Sequence, residues 1–309
     1  MLNLILSTLF VISSQSWFSV WCGLEYNLIS FIPILMTSPS TKSTESSIKY
    51  FVIQATASIV LLLSAMMLNS LNLNNLHLLI VLSLMVKVGI TPFHQWVPNV
   101  ISSISWPNLF LMLTWQKIAP IFVLSTSTYS SHSYLLVISA GVSSIAGGLG
   151  GMNQTQVRHL IAFSSIGHMG WVLIAAILNP ATLLVYFTVY ILNLLPLVVL
   201  LKFLSVSTLS TNVNMMSLSK QNAILLFMLF FSLGGLPPFL GFAPKLMVMK
   251  GVLVSFPLII LVMLLAGSLM NIYYYFSYSV VYFMSPGAKP SNFPTEISSK
   301  FTSLMLLPV

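Results

Sequence analysis

Apolar runs of about 20 residues, parted by short breaks rich in Asn, Ser, Pro and Gly, recur along nearly the whole of this chain. That pattern limits the fold more than any motif does. Runs this long, without the polar–apolar alternation of barrel strands, read as helices that cross a bilayer. Composition agrees: 57% of the residues are hydrophobic and 5% are charged, against about 25% charged in soluble domains. So few charges cannot build a solvated surface, and lipid is the natural solvent. Dividing 309 residues into spans and connections gives about ten or eleven crossings and leaves no length for a soluble domain. The expected fold is therefore an all-α polytopic membrane protein, a single transmembrane domain over 1–309.

The breaks place runs at about 2–14, 17–37, 46–69, 76–97, 106–126, 134–151, 157–178, 181–204, 222–254 and 256–284. A polar loop is expected from Thr37 to Ser47, and the longest loop from Ser205 to Gln221. Residues 285–309 read as a short C-terminal tail, whose last ten residues are too few to cross alone. The formal net charge is +8, but the basic residues are scattered singly, which argues against a nucleic-acid surface. The one cysteine, Cys22, allows neither an internal disulfide nor a Cys-ligated iron–sulfur cluster. Met1 to Phe10 reads as the start of a helix, not a removable targeting peptide.

Charges inside apolar runs are the chemical signal. A charge at the bilayer centre costs about 2.5–3.5 kcal/mol on insertion scales. Glu25, Lys87, Lys117 and Lys245 lie deep within runs, whereas Lys42, Glu45, Lys49, Lys220, Lys289, Glu296 and Lys300 fall in loops or at span ends. Lys202 and Lys250 are close enough to a boundary to snorkel. Lys87 belongs to the segment Ser83-Leu-Met-Val-Lys87-Val-Gly-Ile-Thr91-Pro92-Phe-His94, where Ser83, Lys87, Thr91 and His94 form a polar stripe at helical spacing. Pro92 frees the carbonyl of Val88, and Pro120 likewise frees that of Gln116, next to Lys117. Lys245 follows Gly234-Gly-Leu-Pro237-Pro238-Phe-Leu-Gly-Phe-Ala-Pro244, which must interrupt its helix. A break at membrane depth is tolerated where protein or a water-filled cavity satisfies the freed groups. Each of the three lysines is thus expected beside a helix break.

Glu25 is the one acid inside a run, and Lys87 or Lys117 is its candidate partner. A static salt bridge that fixes packing is the plainer reading. One acid cannot neutralise three lysines, however, and a buried lysine without an anion is free to exchange its proton. His168, in Ser164-Ser165-Ile-Gly-His168-Met-Gly, lies about ten residues, or some 15 Å, into its span. It reads either as a proton relay or as a packing histidine. Gly147-Gly-Leu-Gly-Gly151 is not a nucleotide fingerprint, no acidic cluster suits a metal, and no matched histidine pair suits haem. Moving a proton uphill costs about 2.3 kcal/mol per 100 mV, so the energy must come from an ion gradient or a partner.

Several segments together resemble the NADH–ubiquinone oxidoreductase chain 2 family. They are Trp21-Cys-Gly-Leu-Glu25-Tyr-Asn, Thr44-Glu-Ser-Ser-Ile-Lys49-Tyr-Phe, Lys87-Val-Gly-Ile-Thr-Pro92-Phe-His-Gln-Trp96-Val-Pro98, Thr114-Trp-Gln-Lys117-Ile-Ala-Pro120, Gly151-Met-Asn-Gln-Thr-Gln156-Val-Arg158, Ser164-Ser-Ile-Gly-His168-Met-Gly-Trp171, and Gly234 through Lys245. They stand in the family's order over about residues 17–250. The resemblance implies an antiporter-like fold with two helix groups related by an inverted repeat and helices broken at mid-membrane. It implies that Glu25 pairs with Lys87, that Lys117 is the central relay, and that Lys245 passes protons toward an exit or a neighbouring subunit. His159 stands where relatives often carry a basic residue, a departure from the family's pattern, so no role is carried over for that charge.

The resemblance also implies a setting: a non-redox subunit of complex I in the mitochondrial inner membrane, encoded and made inside the organelle. FMN, iron–sulfur clusters and ubiquinone would be bound elsewhere in the complex, with no cofactor or metal in this chain. Its partners would be other membrane-arm subunits and lipids, with no nucleic acid, and it would not function alone. The length resembles the animal form, which lacks the first three helices of bacterial relatives, and the short tail implies a final helix that is truncated or absent. Two rivals are a cation/proton antiporter subunit and an assembly scaffold with static ion pairs.

Overall fold

The computed structural model describes residues 1–37, 41–71, 74–127, 133–204 and 220–284. Thirteen helices occupy them: α1 (Leu2–Ser13), α2 (Trp17–Leu35), α3 (Thr41–Leu71), α4 (Asn74–Val88), α5 (Trp96–Ile101), α6 (Trp106–Leu113), α7 (Trp115–Ser127), α8 (Ser133–Met152), α9 (Val157–Leu178), α10 (Pro180–Phe203), α11 (Lys220–Gly234), α12 (Phe242–Ser255) and α13 (Leu258–Met284). Seven stretches are long and apolar enough to cross a membrane unaided, one of them made of α6 and α7 together. The broken pairs α4–α5 and α11–α12 and the short α1 bring the described crossings to the expected ten. The chain is a multi-pass, all-α membrane protein. The tail at 285–309 and the loop from Ser205 to Ser219 lie outside the described residues.

Four boundaries differ from the sequence reading. The polar segment before the third run is helical from Thr41, and Glu45 and Lys49 face each other one turn apart there in a 2.6 Å salt bridge. The fourth run does not stay helical to residue 97: α4 ends at Val88 and α5 continues to Ile101. The polar stripe is therefore no single helical face, and Thr91 instead donates to the carbonyl of Ser139 on α8 at 3.1 Å. Pro120 lies inside an unbroken α7, and the interruption falls earlier, at Thr114, whose hydroxyl returns to the Phe110 carbonyl at 2.7 Å. Lys117 is beside a break, but not the proline's.

The two sharp breaks share one geometry. α4 ends with Gly89 at φ 80°, Gly89 N donating to Val86 O at 3.2 Å and Ile90 N to Met85 O at 3.1 Å. α11 ends with Gly235 at φ 75°, Gly235 N donating to Ser232 O at 3.2 Å and Leu236 N to Phe231 O at 3.3 Å. Both are left-handed glycine caps with the 6→1 and 5→2 bonds of the Schellman motif. Each is followed by a turn that closes on a Pro-Phe pair, Phe93 N to Ile90 O at 2.8 Å and Phe239 N to Leu236 O at 3.0 Å. The segments Gly89-Ile-Thr-Pro-Phe-His-Gln-Trp-Val-Pro98 and Gly235-Leu-Pro-Pro-Phe-Leu-Gly-Phe-Ala-Pro244 match in register. An internal repeat is thus written at the breaks.

Close packing organises the second half. The surroundings of an apolar helix in lipid are as apolar as its neighbours, so association relies on backbone approach at small residues. Gly147 and Gly150 of α8 face Gly167 and Phe163 of α9, while Gly148 and Gly151 face Met270 and Tyr274 of α13. The Gly147–Gly151 segment is therefore a two-sided seam. A Cβ on Gly147 would sit 2.5 Å from the Gly167 backbone nitrogen. These pairs also fix direction: α9 runs antiparallel to α8 and α13 parallel to it. The α9 helix is enclosed almost completely and carries His168 through the centre.

Candidate functional site

Each broken helix ends about half-way through its crossing, and a lysine stands beside each end. Lys87 is the penultimate residue of α4, Lys117 lies in the first turn of α7 just after the kink, and Lys245 lies in the first turn of α12. All three are enclosed: Lys87 is 6% exposed, Lys117 3% and Lys245 4%. Among the described residues the one salt bridge is Lys49–Glu45, so none of the three has a carboxylate within 4.0 Å. Glu25 is half-exposed on α2, not buried. It stands within electrostatic range of Lys87 without closing the ion pair.

The first half holds a small polar chamber. Lys87 and Lys117 line one cavity with Tyr50, Trp96 and Gln116. The cavity opens about 10 Å³ to the centre of a water molecule, roughly the space one water needs. Tyr50 Oη donates to Gln116 Oε1 at 3.2 Å, and Gln116 Nε2 to Asn27 Oδ1 at 3.3 Å. Asn27 lies two residues from Glu25, so this chain of amides and hydroxyl ties the Glu25 helix to the chamber. The freed carbonyls of α4 have named partners: Gln54 Nε2 donates to Lys87 O at 3.3 Å and Trp96 Nε1 to Val86 O at 3.1 Å. That is how an interrupted helix is made tolerable at this depth.

The row continues through α9. Lys117 Nζ reaches Ser165 Oγ at 3.4 Å, one turn before His168. His168, 6% exposed, lies within electrostatic range of both Lys117 and Lys245. Its Nδ1 is 3.0 Å from Tyr186 Oη, and its Nε2 faces the Leu233 carbonyl without reaching hydrogen-bond geometry. Lys245 Nζ donates to the next carbonyl, Gly234 O, at 2.6 Å and lies 5.8 Å from the Trp171 ring centre. His168 and Lys245 thus converge on successive carbonyls at the end of α11, which the left-handed Gly235 exposes.

Chemically, this is a file of titratable groups joined by neutral donors and acceptors through the middle of the protein. Among the described residues no group of three or more His, Cys, Asp or Glu is placed to hold a metal. The sequence singled out the charges and His168. It missed Asn27, Tyr50, Gln54 and Tyr186, whose types are common in apolar runs. The recurrence of the Gly-x-x-Pro-Phe pattern was the signal that relates the two breaks.

The chain matches the family profile described as NADH:quinone oxidoreductase/Mrp antiporter over residues 14–271. It is 41% identical over 315 residues to NADH-ubiquinone oxidoreductase chain 2 of Anopheles gambiae, covering 97% of this chain and 91% of that one. To the chain of the same name in Lumbricus terrestris it is 39% identical over 279 residues, covering 89% and 83%. In fold it resembles a chain of respiratory complex I from Thermus thermophilus with bound Aureothin, with a TM-score of 0.78, 21% identity, and coverage of 94% of this chain and 70% of that one.

Proposed function

We propose, for a chain that belongs to the NADH-ubiquinone oxidoreductase chain 2 family, that protons cross the membrane along the row Glu25–Lys87–Lys117–His168–Lys245. The observation that carries this is the enclosure of three lysines beside helix interruptions, none within salt-bridge distance of a carboxylate among the described residues. A buried cation of that kind is costly. It gains nothing as a packing device, whereas a group that alternates between charged and neutral forms can pass a proton on. Water in the Lys87–Lys117 cavity, the Ser165 hydroxyl and His168 provide the steps between lysines. Glu25, half-exposed at one end, supplies the negative charge that draws a proton toward Lys87.

The row has no source of driving energy of its own. Its relatives' names support placing this chain in the membrane arm of complex I, in the mitochondrial inner membrane, among other membrane subunits and lipids. There it acts as a non-redox subunit of a proton-translocating reductase. FMN, iron–sulfur clusters and ubiquinone are bound by other subunits, and quinone reduction there shifts the charges of the row. The gene lies within the organelle. An independently acting antiporter is disfavoured because no carboxylate cluster suited to sodium accompanies the lysines among the described residues.

Gently solubilised mitochondrial membranes, resolved on a native gel and stained for NADH dehydrogenase activity, test the assignment. Peptide mass spectrometry should find this chain in the active band at one copy per complex. Recovery solely in a separate, inactive band would overturn it. A scaffold role is tested by neutralising Glu25 and Lys87 together: unaltered proton transport in the assembled complex would favour it over the row.

A further inference from the structure

Around His168 the protein buries more hydroxyls than its packing requires. Tyr186 and Tyr190 of α10 and Tyr274 and Tyr275 of α13 are each at most 4% exposed. Phenylalanine would fill the same space without a polar atom to satisfy. Tyr186 is accounted for by its 3.0 Å contact with His168 Nδ1. The Tyr190 ring lies 5.2 Å from that of His168, yet its enclosed hydroxyl has no protein partner. The Tyr274 and Tyr275 rings lie 4.7 Å apart, and their hydroxyls lie close to each other and to Ser164, although no contact among them meets full hydrogen-bond geometry. Tyr275 is within electrostatic range of Tyr186 and Tyr190. The Asn271 carboxamide, whose nitrogen lies 2.9 Å from the Cβ position of Gly167, leaves its oxygen unpartnered in the same region.

These atoms are not scattered. Ser164 is one turn from His168 toward the start of α9. The pairs Gly150–Phe163 and Gly151–Tyr274 put Tyr274 at that same depth. Because α13 runs parallel to α8 and antiparallel to α9, its end and the start of α9 share one face. The hydroxyls therefore lead from His168 toward the face that carries Arg158. Buried polar groups in native proteins are satisfied by protein or by ordered water, and groups that the protein leaves open along a line mark where water is held.

We infer that Tyr190, Tyr275 and Tyr274, with water bound among them, Ser164 and Asn271, form a proton branch joining His168 to the face at which α9 begins. Each hydroxyl accepts a proton on its oxygen as it releases its own to the next acceptor, so every tyrosine stays neutral and only a proton is displaced. The inference rests on the proton-row reading and adds its connection to one side of the membrane.

The test uses the intact complex. Radiolytic footprinting, in which X-rays convert bound water to hydroxyl radicals, should label Tyr190, Tyr274 and Tyr275 well above the equally enclosed Phe31. Tyr190→Phe combined with Tyr275→Phe keeps the rings and removes the oxygens, so the complex should assemble while the protons moved per electron fall. Labelling no higher than that of Phe31, or unchanged transport in the double variant, overturns the branch. Lys117→Met separates the two failures. If it lowers the protons moved per electron and the tyrosine variant does not, the row stands and the branch falls. If Lys117→Met is without effect, the row itself fails.

Discussion

Single residues decide where the charges of this protein can rest. Gly235 holds φ 75° at the end of α11, and a Cβ there would sit 2.9 Å from Lys245 Nζ. Gly235→Ala should therefore cost about 1–2 kcal/mol in backbone conformation and displace the ammonium from the Gly234 carbonyl. We expect lower thermal stability of the complex and weaker proton transport. Gly234→Ala meets the Ile272 side chain at 3.1 Å and the Tyr275 ring at 3.5 Å, without a positive φ, and should be the milder change. Equal behaviour in melting and transport would contradict this account of the break. The lysines were legible in the sequence because charge is incongruous in an apolar run. Tyr50, Asn27 and Tyr186 were not, because a hydroxyl or amide at such a position has many structural uses and only its partner reveals which. Glu25 was legible as an acid but not as half-exposed, since exposure belongs to the face its helix presents.

At the scale of elements, the interruptions and the small-residue seam matter more than helix propensity. The glycines and prolines from Gly234 to Pro244 announced one break. The break at Thr114 was hidden, because Pro120 drew attention to the wrong place. Pro120 leaves the Gln116 carbonyl without its helical donor, yet the helix continues through it to Ser127. The seam was visible as Gly147-Gly-Leu-Gly-Gly151 but not its meaning, which needs two partner helices on two sides. Gly147→Val would drive a side chain into the Gly167 backbone, and overpacking of this kind costs about 1–3 kcal/mol or more. The assembled complex should fall in abundance on a native gel. Gly141→Ala, on the same helix, meets only the Met263 side chain, no nearer than 3.1 Å, and should be tolerated better. A normal complex with Gly147→Val would show that α8 and α9 do not rely on this approach.

At the scale of the whole molecule, the path of the helices resolves a charge asymmetry that the linear sequence blurs. Counting each broken pair as one crossing, the ends carrying Lys42, Lys49, Arg158, Lys202 and Lys220 all fall on one face, while Lys250 lies toward the other. Loops near span ends retain Lys and Arg on the side of insertion, so the first face should be the inner one. The proposed tyrosine branch opens toward it. A membrane-impermeant amine reagent should modify Lys42 and Lys49 in inside-out vesicles and not in right-side-out ones. The reverse pattern would invert the molecule. The same path brings Lys87, Lys117, His168 and Lys245 together although their positions span more than half the chain, and so makes a row from residues that the sequence presents as isolated anomalies.

Lys117 stands at the middle of that row, facing Lys87 across one cavity and His168 through Ser165. Lys117→Met removes a buried charge that no carboxylate among the described residues balances, so it should leave folding and assembly intact or improved, while ending proton exchange at the centre. The decisive measurement is the number of protons translocated per electron by the intact complex carrying this substitution, reconstituted in sealed vesicles. A lower ratio in a fully assembled, NADH-oxidising complex is the result this account predicts. An unchanged ratio in the same preparation would contradict it.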